Sequence, residues 1–120
     1  MALIIFCVLF ILSNLHNYNV YSKIKAEYEY VNGTREGKQI EYYENVNIKH
    51  EYNLVTDEKD AEEIRYYENG NIKDQCFYIN GKKHGKRTVY HDNGQIEMTA
   101  NYENGELKGH VKSFDYNDSL

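Results

Sequence analysis

The sequence predicts an all-β protein, an elongated single-layer antiparallel sheet of stacked β-hairpins. Three observations predict it. A 24-residue repeat runs without a gap from residue 24 to residue 120. All eight glycines fall on three positions of that repeat. There is no proline in 120 residues, as suits strands that must donate to neighbours on both sides.

The repeat is visible in several rows. Tyr42, Tyr66, Tyr90 and Phe114 stand 24 apart, and so do Asn45, Asn69, Asn93 and Asn117. Ile24, Ile48, Ile72, Ile96 and Leu120 keep the same step, as do Tyr30, Leu54, Tyr78 and Tyr102. A fixed period of this length is the signature of a repeat array, in which one supersecondary unit stacks on the next.

Taken from the N-terminus, residues 1–22 carry no charged side chain, and Ala2 to Leu12 is an unbroken apolar run. Eleven residues span about half of a bilayer's hydrocarbon core as a helix, the length of a signal-peptide segment. Residues 1–22 are therefore expected to be a signal peptide or an N-terminal membrane anchor, and residues 23–120 the repeat domain.

Within that domain each unit reads as two strands. Ile72, Asp74, Cys76 and Tyr78 alternate with Lys73, Gln75, Phe77 and Ile79, the period of a half-buried strand. Asn-Gly between such segments predicts a type I′ hairpin, because that turn needs positive φ at both central residues. The sequence predicts tight turns at Asn69-Gly70 and Asn93-Gly94. It predicts longer Asn-Gly-x-x-x-Gly loops from Asn80-Gly81 to Gly85 and from Asn104-Gly105 to Gly109. The second unit, about residues 42–65, is degenerate. Val46, Thr56, Asp57 and Ala61 replace its turn residues, so its hairpin is expected to survive with a looser tip.

Composition excludes more than it names. A formal charge of −5 argues against a dedicated nucleic-acid binder. Two cysteines, Cys7 and Cys76, are too few for a disulfide framework or a four-ligand zinc site. Thirteen tyrosines make the chain too aromatic to be disordered. The five histidines occupy different repeat positions, so they build no ligand ring. His50 is expected to be a partly buried, satisfied side chain, His84 to shape the turn before Gly85, and Cys76 to be a small core residue. No nucleophile elbow, phosphate loop or metalloprotease motif is present, so no catalytic residue, metal or cofactor is expected.

Two surface features could meet a partner. The stripe of Tyr42, Tyr66, Tyr90 and Phe114 has no second layer to cover it, which makes it the candidate partner-binding face. Lys82, Lys83, His84, Lys86 and Arg87 form the one basic cluster, a candidate anion-contacting loop.

The segments Tyr66-Tyr67-Glu68-Asn69-Gly70-Asn71-Ile72-Lys73, Tyr78-Ile79-Asn80-Gly81-Lys82-Lys83-His84-Gly85-Lys86 and Tyr90-His91-Asp92-Asn93-Gly94 resemble the MORN-repeat variant. The variant is typical of the YwqK-type bacterial proteins named as toxin–antitoxin antitoxins. The resemblance implies stacked hairpins that bind protein or lipid partners without a catalytic site.

The expectation is thus a non-enzymatic protein-binding module placed in the periplasm, at the cell surface or outside the cell, or in the cytoplasm if residues 1–22 are no export signal. It would recognise its partner through the aromatic face and the loops around 33–37, 57–61, 81–85 and 105–109. One alternative is an antitoxin-like neutraliser of a toxin. The other is a lipid-contacting scaffold working through the basic loop; further membrane contact would come only from residues 1–22.

Overall fold

A computed structural model describes residues 23–117; the expected export segment and Leu120 lie outside them. The strands are β1 (Ala26–Val31), β2 (Thr34–Tyr42), β3 (Ile48–Val55), β4 (Glu58–Tyr66), β5 (Ile72–Ile79), β6 (Lys82–Lys83), β7 (Gly85–Tyr90), β8 (Ile96–Glu103) and β9 (Glu106–Ser113). All join one antiparallel sheet in the order β1-β2-β3-β4-β5-β7-β8-β9, with the short β6 also on β5. The smallest dimension is 15 Å, that of a single layer. The all-β, single-layer hairpin array is present as the repeat predicts.

The turns divide the work differently from the sequence expectation. Asn80-Gly81 and Asn104-Gly105 have positive φ at both residues, and the flanking pairs Ile79↔Lys82 and Glu103↔Glu106 close directly on them. These are two-residue hairpins, so the segments expected as longer loops are strand on either side. Gly85 and Gly109 (φ +79° and +71°) lie at the start of β7 and inside β9. At Asn69-Gly70 and Asn93-Gly94 only the glycine has positive φ. There Gly70 N donates to Tyr67 O, closing a four-residue turn, and Tyr67 N to Asn71 O, which makes a five-residue connection between the strands rather than a two-residue type I′ turn. The asparagine before the glycine is needed for its side chain: Asn69 Oδ1 accepts from Asn71 N at 2.9 Å.

The degenerate second unit keeps this backbone without glycine. Val46 (φ +67°) takes the place of Gly70, and Ala61 (+63°) that of Gly85. Thr56 and Asp57 (+52° and +63°) take that of Asn80-Gly81. Its tip is not an open loop: Val55 pairs with Glu58 across the two turn residues. Stacking between intact neighbours holds four L-residues in a region that costs each of them steric strain.

The two faces of the sheet differ. Eight described residues are buried, and seven of them, Ala26, Gln39, His50, Leu54, Glu63, Cys76 and Ala100, alternate onto one side. Large side chains roof this Glu63 face. Arg35 lies 4.0 Å from the Tyr28 ring, Lys59 5.3 and 5.2 Å from the Tyr52 and Tyr78 rings, and Lys83 5.3 Å from the Tyr102 ring. Long cationic stems laid over tyrosines thus do what a second layer does in a sandwich. The eighth buried residue, Thr88, belongs to the opposite, Tyr66 face.

Candidate functional site

Alternation along β2, β4, β7 and β9 places Tyr42, Tyr66 and Tyr90 on one face, with Phe114 beyond the end of β9 in the same row. The face is built by rows. Ile40 pairs with Glu51, Ile64 with Gln75 and Thr88 with Thr99, each one step inward from its tyrosine. The Tyr42 hydroxyl donates to Glu27 Oε1 at 2.7 Å, and the Tyr66 hydroxyl to Glu51 Oε1 at 2.5 Å. Lys38 Nζ sits 3.0 Å from the other oxygen of Glu51. Burial and the bond to Glu27 push the Tyr42 hydroxyl up to about 12, and the same two causes raise Tyr66.

This pinning stops halfway along the array. The position of Glu27 and Glu51 is held by Gln75 and then Thr99 in the later units, and Gln75 Nε2 donates instead to Glu62. Tyr42, Tyr66 and Tyr90 are half-buried, whereas Phe114 is 49% exposed. Phe77 and Ile79 on the same face are 41% and 52% exposed. A shallow groove beside Ile64 is lined by Lys38, Glu51, Asn53, Ala61 and Glu62. The face therefore runs from a half pinned by tyrosine–carboxylate bonds to a half without them, where Phe77, Ile79 and Phe114 are exposed among Lys82, Lys86, Thr99 and Asn101.

The Glu63 face carries a charge cluster that sequence reasoning missed. His50 Nε2 lies 2.6 Å from Glu63 Oε1, Lys59 Nζ 2.6 Å from it and Arg65 Nη2 3.1 Å. His50 is buried and stacks on Tyr52 with ring centroids 4.6 Å apart. Burial alone would raise the Glu63 carboxyl, but hydrogen bonds from His50, Lys59 and Tyr78 outweigh it and hold the group well below the usual carboxylate range. One unit later Arg87 makes a bidentate pair with Asp74, at 3.0 Å from Nε to Oδ1 and 2.5 Å from Nη2 to Oδ2. The signal was available: both pairs are 13 residues apart and share the same two repeat positions. Cys76 is buried opposite Glu63, and burial raises its thiol.

The basic run does not act as one loop. Lys83 and Arg87 lie on the Glu63 face, engaged by Tyr102 and Asp74. Lys82 and Lys86 pair with Ile79 and Asn101 on the opposite side and are exposed. His84 N donates to Phe77 O, where the chain passes from β6 to β7.

A second ladder, also unforeseen, runs along the edge of the four-residue turns. The Tyr43 hydroxyl donates to Tyr66 O at 2.7 Å and the Tyr67 hydroxyl to Tyr90 O at 2.8 Å. Asn45 Nδ2 reaches Glu68 O and Asn69 Nδ2 reaches Asp92 O, both at 3.0 Å. Each turn is thereby tied to the backbone of the next. Tyr43, Tyr67 and His91 keep the 24-residue step directly after the stripe residues, which is where the signal lay.

Among the described residues no group of three or more His, Cys, Asp or Glu side chains could hold a metal ion, and no helix is long and apolar enough to cross a membrane. No curated protein and no solved structure matches the chain. The family model of the MORN repeat variant matches residues 59–80 and 83–104. The first match spans β4, the four-residue turn and β5, and the second spans β7, the equivalent turn and β8. The two matched copies and the stacked hairpins together support a MORN-repeat protein.

Proposed function

We propose that the chain is a non-enzymatic protein-binding repeat module that recognises its partner through the open half of the Tyr66 face. The observation that carries this reading is the change along the aromatic row. Tyr42 and Tyr66 are tied to carboxylates, while Phe114, with Phe77 and Ile79, leaves apolar surface exposed on a sheet without a second layer. Aromatic groups on such a surface are the usual anchors of protein contacts. Exposed Lys82 and Lys86 beside this area favour an acidic rim on the partner. The uncharged residues 1–22 favour export, which puts the partner in the periplasm, at the cell surface or outside the cell.

The test is affinity capture from the native host with the full chain and with a Tyr90→Ser/Phe114→Ser variant. Neither residue belongs to the tyrosine–carboxylate pairs, so the fold is expected to stand. Loss of a specific captured protein with an unchanged circular dichroism spectrum supports the reading; undiminished capture overturns it. A captured toxin whose activity the chain suppresses would select the antitoxin-like role.

A further inference from the structure

Every internal junction between hairpins follows one register. At β2–β3, Ile40 pairs with Glu51, Lys38 with Asn53 and Gln39 with Tyr52. At β4–β5 the residues one unit later pair likewise, Ile64 with Gln75, Glu62 with Phe77 and Glu63 with Cys76. At β7–β8 they are Thr88 with Thr99, Lys86 with Asn101 and Arg87 with Ala100. The strand β9 stands one unit after β7, and β1 one unit before β3. Among the described residues β9 pairs only with β8 and β1 only with β2.

Carried across from β9 to the β1 edge of another copy, the same register sets Lys112 opposite Glu27 and His110 opposite Glu29. It also sets Val111 opposite Tyr28 and Phe114 opposite Ile24. We propose that a second copy of this chain docks in this way, head to tail, so that the 24-residue repeat continues from one molecule into the next. The proposal concerns the two sheet edges and shares only Phe114 with the partner reading of the Tyr66 face; its test leaves Phe114 and Tyr90 unchanged, so the two can fail separately.

Charge selects this pairing over the others. The β9 edge carries Lys112, His110 and Lys108, the last already engaged by Glu103, with Glu106 at the turn. The β1 edge carries Glu27 and Glu29, the latter accepting from Lys38 N, with Lys23 and Lys25 ahead of the strand. Joining β9 to β9 would bring Lys112 of one copy against the lysine-bearing edge of the other, and joining β1 to β1 would oppose carboxylates. Only β9 to β1 sets opposite charges together. Internal geometry shows what the contact would complete. Glu51 accepts from Tyr66 at one oxygen and meets Lys38 of the preceding strand at the other. Glu27 accepts from Tyr42 in the same manner, and His110 of the preceding copy would occupy the place of Lys38.

Exposure agrees. At the repeat position of Val111, Gln39 is 0% and Glu63 5% exposed, because a following strand covers them; Val111 itself is 44% exposed. Ile24 and Phe114, which would meet across the junction, are 44% and 49% exposed. Since β1 and β9 are different surfaces, the contact is heterologous and grows into an open chain or a ring rather than a closed two-fold dimer.

Sedimentation velocity of the full chain over a concentration series tests this. Growth through dimers to larger species, weakened by salt, is expected. Lys112→Glu and Glu27→Lys each set like charges across the junction and are expected to weaken association by more than about tenfold. His110→Glu is a second variant on the β9 edge, and circular dichroism checks that each is folded. Mixing the Lys112→Glu and Glu27→Lys proteins restores opposite charges and is expected to restore growth. A wild-type chain that stays monomeric, growth that stops at a dimer, single variants that associate like the wild type, or a mixture that stays monomeric would each overturn the proposal.

Discussion

His50 Nε2 and Glu63 Oε1 lie 2.6 Å apart on the face roofed by Tyr52, Lys59 and Tyr78. One unit later the same two repeat positions hold Asp74 and Arg87, with the acidic and basic partners exchanged. The pair bridges the two strands that flank a two-residue turn. It is a slot that the array fills by charge complementarity of either sense, and in the first unit by Ala26 and Gln39. There Gln39 Oε1 is buried without a hydrogen-bond partner, because alanine offers it no donor.

If the slot is interchangeable, the pair can be transplanted. His50→Asp/Glu63→Arg is expected to fold with a urea midpoint close to that of the wild type. Glu63→Arg alone, which sets a buried arginine against His50, Lys59 and Arg65, is expected to lose about 3 kcal/mol. Equal loss in the single and double variants would show that the slots are not equivalent.

The depressed Glu63 carboxyl makes a signed pH prediction. A group whose folded pKa lies below its unfolded value of about 4.3 stabilises the fold above that value, and the contribution is lost as pH falls through the folded pKa. Glu63 is held down by His50, Lys59 and Tyr78 against the effect of burial. The wild type is therefore expected to lose more stability between pH 6 and pH 3, roughly the range that brackets the unfolded value, than Glu63→Gln does. Chemical denaturation at the two pH values checks it.

Tyr42 acts at the alkaline end. Its folded pKa is raised to about 12, against about 10 in an unfolded chain. Its contribution is present below pH 10 and is lost as pH rises toward 12. Tyr42→Phe is expected to cost about 1 kcal/mol at neutral pH through the missing bond to Glu27. It should also flatten the loss of stability above pH 10, which thermal melts across that range would reveal.

The second unit stores strain that glycine can release. Val46, a β-branched residue at φ +67°, and Ala61 at +63° occupy positions held by Gly70 and Gly85 one unit later. Val46→Gly and Ala61→Gly are each expected to raise stability by about 1 kcal/mol, read as a higher urea midpoint at unchanged slope. A fall in the midpoint would show that side-chain contacts of Val46 or Ala61 outweigh the backbone cost.

The turn ladder gives the last prediction. Tyr67→Phe removes the hydroxyl that meets Tyr90 O at 2.8 Å, and is expected to cost about 1 kcal/mol. Amide exchange should accelerate at Gly70 and Gly94 before it does in β5. Uniform acceleration would mean that the ladder does not couple the turns.

The sequence by itself determined the architecture. Residue spacing repeats whenever backbone geometry repeats, so 24-residue steps in glycine, asparagine and tyrosine were enough to read a hairpin array and its aromatic row. The tertiary structure decided what spacing alone does not carry. Asn69-Gly70 and Asn80-Gly81 are the same dipeptide, yet only the second has positive φ at both residues, because turn type depends on how the flanking strands close. The basic run Lys82–Arg87 is contiguous in sequence but split in space, because a strand sends neighbours to opposite faces. His50 and Glu63 became a pair because the β3–β4 pairing sets them side by side on one face. That is a relation between rows of the sheet, and it exists only once the register has set the rows side by side.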